Sequence, residues 1–280
     1  MEAEAKAQAE AERMFAAAIA AFSREKKAGD RRIWTVDGIA YPFRWCPQGT
    51  FSMGAPEDED PELWDEEYEY DEHLHEVTLT KGFWMLETQV TQVMWESVMG
   101  TTVQQQRDKE DPGEELYGEG TEYPIYYVNW EESRTFCKKL SSKLGVQVSL
   151  PTEAQWEYAC RAGTTGAYAG DLDAMGWYYK NSGSKTHPVG QKKANEWGLK
   201  DMHGNVWEWC SDWYGKDYYT ESPTSDPKGP DSGSSRVNRG GSWHDDAEYC
   251  RSADRYCLEP GLRGDYLGFR IVLADPAPGK

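Results

Sequence analysis

Long apolar runs are missing from this chain of 280 residues. No stretch approaches the ~20 residues that a membrane-crossing helix needs, and mean hydropathy is −0.84. Basic charge is scarce as well: 30 Lys and Arg stand against 49 Asp and Glu, a formal net charge of −19. Nucleic acid is therefore disfavoured as a partner, because binding phosphates takes a basic patch and counterion release. Six cysteines (Cys46, Cys137, Cys160, Cys210, Cys250, Cys257) lie far apart with no C-x-x-C pair, which excludes a zinc ribbon or a thioredoxin-type motif. They are too few for a disulfide scaffold, so they are expected as buried small apolar side chains. A secretory leader is not visible: Met1–Lys27 is rich in Ala, Glu and Lys and lacks an apolar stretch of about 7–15 residues. Either the chain stays inside the cell or it begins after a removed leader. No phosphate loop, dinucleotide fingerprint or Ser/His/Asp nucleophile motif occurs.

What is present is rich in large rings. Thirteen Trp and seventeen Tyr accompany only seven Phe, and both abundant rings bury large area while keeping a polar handle. Glu57–Glu76 holds twelve acidic residues in twenty, which reads as a solvated loop, since no D-x-D-x-D-G calcium spacing appears. Residues 1–30 predict an N-terminal helix of good helix formers ending near Gly29. Its Phe15, Ile19 and Phe22 form a narrow apolar stripe for docking. Residues 31–280 read as one domain. Short strands are expected at Ile33–Val36, Glu76–Leu79, Gly82–Glu87 and Arg270–Leu273. A helix over Thr91–Met99 would follow a Thr88 cap, and another spans Trp130–Leu144 with acids in its first turn and Gly145 as its stop. A third begins at Thr152, where Gln155 completes a capping box. After Gly163 little regular structure is expected before the last strand, but the Trp and Tyr there argue for packing rather than disorder.

Eight segments, in order over about residues 35–275, resemble the formylglycine-generating enzyme (sulfatase-modifying factor) family. They are Phe51-Ser-Met-Gly54, His75-Glu-Val-Thr-Leu79, Glu87-Thr-Gln-Val-Thr91, Pro124 through Val128-Asn-Trp130, and Leu150-Pro-Thr-Glu-Ala-Gln-Trp-Glu-Tyr-Ala159. Gly198-Leu-Lys-Asp-Met-His-Gly-Asn-Val-Trp-Glu-Trp209, Arg239-Gly-Gly-Ser-Trp243 and Gly268-Phe-Arg270 complete the set. The resemblance implies an α+β domain with the C-type lectin fold, low in regular secondary structure (under about 45% against the usual ~55%), with its first and last strands adjacent.

The family's enzyme oxidises a substrate cysteine using copper and two nearby thiols, since Cu(I) takes soft sulfur ligands and a low-pKa thiolate engages the substrate. The positions that match that pair here are Asp245 and Cys250. A carboxylate cannot replace a thiolate on Cu(I), so no copper and no enzyme activity of this kind are expected. A related branch of iron enzymes uses three histidines. The five here (His73, His75, His187, His203, His244) sit in loop-like segments that do not supply them. The resemblance also implies a Ca²⁺ site built from Asp201, Gly204, Val206 and Glu208, hard oxygen donors that suit calcium. A polar turn with Glu208 bonded to backbone is the alternative there.

The run 239–270 mixes two kinds of position. Against a frame of Arg239–Trp243, Ala247, Arg251–Ala253, Arg255, Pro260, Arg263 and Leu267–Arg270 stand His244, Asp245, Asp246, Tyr249, Asp254, Tyr256, Cys257, Gly261, Gly264, Asp265 and Tyr266. Each of these eleven is reachable from an Asn codon by changing only its two adenines. In this the chain resembles the variable proteins of diversity-generating retroelements, of the treponemal variable lipoprotein type, although ordinary divergence produces such a set too. Tyr, Gly and Asp are also what adaptable binding loops use. The resemblance implies a non-enzymatic protein that binds a protein or other macromolecule through these eleven residues. Surface display on a lipid anchor is the expectation, or a cytoplasmic location if the chain natively starts at Met1. The frame arginines are expected in ion pairs or on carbonyls, since an unpaired buried guanidinium is costly. Trp243, Ala247, Leu267 and Phe269 are expected inside and most of the eleven outside.

Overall fold

Asp37 and Gly38 hold φ angles of 51° and 82°, the left-handed pair that a two-residue hairpin turn requires. The chain therefore reverses at once, and Val36 pairs with Ile39. In the computed structural model, residues 26–56, 59 and 72–275 are described. The helix expected over 1–30, with Phe15, Ile19 and Phe22, lies outside the described residues but for its last five positions.

The hairpin strands β1 (Arg31–Val36) and β2 (Ile39–Cys46) open a five-stranded sheet with β5 (Phe83–Leu86), β6 (Val148–Ser149) and β11 (Val272–Ala274). Its order is β1-β2-β5-β11-β6. First and last strands share this sheet, but β5 stands between β2 and β11 rather than the two being neighbours. A small ladder joins β3 (Gly49–Met53) to β4 (His75–Leu79).

The helices follow their local signals. Trp130–Leu144 (α3) starts on a complete capping box of Asn129 with Glu132 and stops at Gly145, φ 69°. Glu153–Arg161 (α4) starts on the Thr152–Gln155 box. For Gln92–Met99 (α1) the cap is Thr91, whose hydroxyl accepts from the Met94 N–H, while Thr88 instead donates to the Gln89 carbonyl. Val103–Arg107 (α2), Leu172–Met175 (α5) and Tyr218–Glu221 (α6) are single turns.

The region after Gly163 is more regular than expected. It forms a second, four-stranded sheet of β7 (Trp207–Trp213), β8 (Arg236–Arg239), β9 (Arg255–Leu258) and β10 (Leu267–Gly268), in the order β10-β7-β8-β9. The period-2 alternation that would announce these strands is absent, because β7 is buried along most of both faces. Helix and strand amount to 21% and 24%, at the expected ceiling. The two cores carry the rings: Trp95, Phe136 and Phe269 pack together in one, Trp156 with Met53 and Cys160 in the other.

Candidate binding surface

Buried ion pairs fix the backbone of the 239–270 run. Arg251 forks onto both oxygens of Glu72, each at 2.8 Å, and also reaches Glu59. Those two acids belong to the acidic stretch expected in water, and Glu72 is in fact 6% exposed. Arg255 grips Glu153 at 2.8 and 2.9 Å, Arg239 shares that carboxylate, Arg270 forks onto Glu208 at 2.6 and 2.7 Å, and the half-buried Arg263 reaches Glu132 at 2.9 Å. Such pairs cost desolvation when formed and far more when one partner is removed.

On that frame the side chains divide. Trp243, Leu267 and Phe269 are inside. Ala247, expected with them, is only half-buried because it lies in a single turn of 3-10 helix at Ala247–Cys250. His244, Asp246 and Gly261 are exposed. Asp245, Tyr249, Tyr256, Cys257, Asp265 and Tyr266 are half-buried, so fewer than expected stand fully in water. Two of the eleven point elsewhere. Asp254, 7% exposed, lies 3.8 Å from Arg251, and burial together with Glu72 drives its carboxyl pKa well up. Gly264 is buried with its carbonyl accepting from the Tyr127 N–H. Cys257 sits on the edge strand β9, opposite Val237.

A connected row of rings marks the surface. Tyr117 stacks on Trp243 (4.8 Å between centroids), Trp243 meets His244 (4.9 Å), and His244 meets Tyr266 (5.0 Å). Beside it Trp207 packs on Tyr256 at 5.6 Å and donates its indole N–H to Asp245 Oδ2 at 2.9 Å. Partial burial raises the carboxyl pKa of Asp265, with His244 acting against the shift. Tyr117 and Trp207 were not among the expected site residues. Both lie outside the 239–270 run; Trp207 falls in the Gly198–Trp209 motif, but nothing local marks either ring for this surface.

At the matching thiol positions, Asp245 also accepts from the Ser242 hydroxyl, and Cys250 is 0% exposed. Burial, then the nearby carboxylates of Asp245 and Asp254, push the Cys250 thiol well above its ordinary pKa. Among the described residues no group of three or more His, Cys, Asp or Glu is arranged to hold a metal ion.

The expected calcium loop does converge, but on a nitrogen. The main-chain carbonyls of Asp201, Gly204 and Val206 and the Glu208 Oε1 all accept from Gln89 Nε2 at 3.1–3.2 Å. Asp201 contributes its carbonyl, not its side chain. Its carboxylate accepts from the Gly190 N–H and leaves Oδ1 buried without a partner, and burial raises its pKa to about 6. The remaining oxygen of Glu208 is met by Arg270 and by the Trp156 indole. As these residues stand, calcium does not fit: an amide nitrogen holds its place, at distances suited to N–H···O and not to the 2.3–2.6 Å of Ca–O.

Fold and surface together define a C-type-lectin-like domain built around a Gly-Gly-Ser-Trp frame. Residues 43–275 match the sulfatase-modifying factor enzyme 1-like domain, and the chain belongs to that family. It is 38% identical over 170 residues to the formylglycine-generating enzyme of Streptomyces coelicolor, covering 54% of this chain and 52% of that one. The chain spans about half the length of the curated relatives it matches. Among solved structures it is similar to Treponema denticola variable protein 1, with a TM-score of 0.74 and 31% identity over 87% of this chain and 99% of that one. PvdO from Pseudomonas aeruginosa superposes with a TM-score of 0.76 at 26% identity, covering 89% and 100%. No helix among the described residues is long and apolar enough to cross a membrane.

Proposed function

We propose that this chain is a non-enzymatic binding protein that presents the surface around His244, Asp245, Tyr256, Asp265 and Tyr266 to a macromolecular ligand. The observation that carries the reading is the division of 239–270 into a frame locked by buried arginine pairs and side chains that reach the surface. Function on loops over a rigid scaffold is the usual arrangement. The likeness to Treponema denticola variable protein 1 supports the same reading. Rings beside carboxylates suit a protein ligand offering Lys or Arg side chains. Display on a cell surface through a lipid anchor belongs to this reading.

The similarity to formylglycine-generating enzymes favours a second reading, an oxidase. Against it stands the chemistry of the pair: a carboxylate and a deeply buried, high-pKa thiol supply neither soft ligands nor a thiolate. Copper-loaded protein incubated with a Cys-containing peptide under oxygen should leave the peptide unchanged, and turnover would establish the oxidase. For the variable-protein reading the decisive observation is genetic. A near-identical repeat rich in Asn codons, beside a reverse transcriptase gene, is expected near the coding sequence.

A further inference from the structure

Three carbonyls and a carboxylate aimed at one point need a positive counterpart, and in this loop it is a side-chain amide. Gln89 is fully buried. Its Oε1 accepts from Asn205 Nδ2 at 3.1 Å, which sets the orientation: the flipped amide would aim an oxygen at four oxygens. Only two hydrogens face four acceptors, so each N–H is shared. Arg270 supplies the full charge that the amide lacks, reaching the carbonyls of Lys200 and Asp201 at 3.0 and 3.2 Å besides Glu208. The same loop ties down the proposed binding surface. Asn205 accepts from the Trp243 N–H at 3.0 Å, and Trp207 donates its own N–H to the Tyr266 carbonyl at 2.8 Å.

We propose that Gln89 is a permanent, built-in substitute for a cation in this loop, a positioning residue that holds the surface in place at any calcium concentration. The prediction for Gln89→Glu is then specific. A fifth oxygen and a second negative charge enter the focus, more than the single charge of Arg270 offsets, and a divalent cation becomes required. The importance for ligand binding rests on the function proposed above, whereas the metal independence does not.

The test is calorimetric and thermal, on the full chain. Wild-type protein titrated with CaCl₂ should give no binding heat, and its melting midpoint should agree in EDTA and in millimolar CaCl₂. Gln89→Glu should melt roughly 5–10 °C lower in EDTA, recover in CaCl₂, and bind CaCl₂ with a measurable heat. Gln89→Met, which removes the donor without adding charge, should be destabilised equally in EDTA and CaCl₂. Calcium binding by wild type with a raised midpoint overturns the proposal. So does a Gln89→Glu protein that is indifferent to calcium, whether folded or unfolded. No ligand enters these measurements, so their failure leaves the binding-surface reading to its own tests.

Discussion

Trp207 and Asp245, 38 positions apart, meet through an indole N–H to carboxylate bond of 2.9 Å. Trp207 lies on β7, deep in the second sheet, and Asp245 occupies one of the two positions that the family resemblance sets against the oxidases' thiol pair. The bond fastens one of the eleven candidate residues to a buried strand of the second sheet, and Tyr249, Tyr256 and Tyr266 among the others pack against the larger core. The surface is partly rooted in the core.

Substitutions on that surface should therefore separate by depth. His244→Ser with Asp246→Ser touches two exposed side chains and should change the unfolding free energy by no more than ~0.5 kcal/mol. Adding Tyr256→Ser and Tyr266→Ser removes rings packed against the larger core and should cost about 2–4 kcal/mol in all. Urea unfolding of both variants measures this. A double variant that already loses about 2 kcal/mol or more would show that the exposed pair is structural, and a quadruple variant that loses no more than ~0.5 kcal/mol would show that the two tyrosines are not rooted in the core.

Removing the partner of a buried guanidinium gives the opposite extreme. Glu72→Ala removes the two-pronged partner of Arg251, which is 3% exposed and keeps Glu59 and the more distant Asp254, and should destabilise by about 2–3 kcal/mol, less than the loss of a sole partner would cost. A loss below ~1 kcal/mol in chemical denaturation would mean that the acidic stretch is solvated after all.

Thiol reactivity reports the burial of the cysteines. Cys46, Cys137, Cys160, Cys210 and Cys250 are buried, and Cys257 is half-buried. Burial raises the pKa of every one, Cys160 to about 12. Native protein should release at most one equivalent of thionitrobenzoate from a disulfide reagent, and six when unfolded in guanidinium. Rapid labelling of Cys250 in the native state would revive the oxidase reading.

One carboxyl gives stability a pH dependence of known sign. Burial first, and then the Glu153 charge, raises Asp212 to about 7. The folded state thus keeps a proton that the unfolded chain releases near pH 4. This contribution is complete below pH 4 and lost as pH rises through 7, at up to ~1.4 kcal/mol per unit. Asp212→Asn retains an oxygen to accept from the Glu153 N–H and the Ser211 hydroxyl, bonds of 3.0 and 2.8 Å. Its stability relative to wild type should rise between pH 4 and 8, as read from denaturation midpoints. A difference that stays flat over this range would refute the assignment.

The sequence by itself determined what depends on neighbours along the chain. Thr152 with Gln155, Gly145 after Leu144, and the frame arginines at 251, 255, 263 and 270 were all legible, because caps act over three or four residues and a buried guanidinium must find a partner somewhere. Which partner it finds was not legible. Glu72 for Arg251, Glu208 for Arg270 and Trp207 for Asp245 come from distant strands and loops, and β7 and β8 carry no alternation because most of both their faces is covered. Gln89 shows the limit best. Nothing within ten residues of it distinguishes a surface amide from one that takes a cation's place, since the four oxygens it answers belong to a loop more than a hundred positions away. Only the tertiary structure decided that, by bringing 89 and 201–208 to the same buried point, where low dielectric and the exclusion of water make an unanswered oxygen too costly to leave.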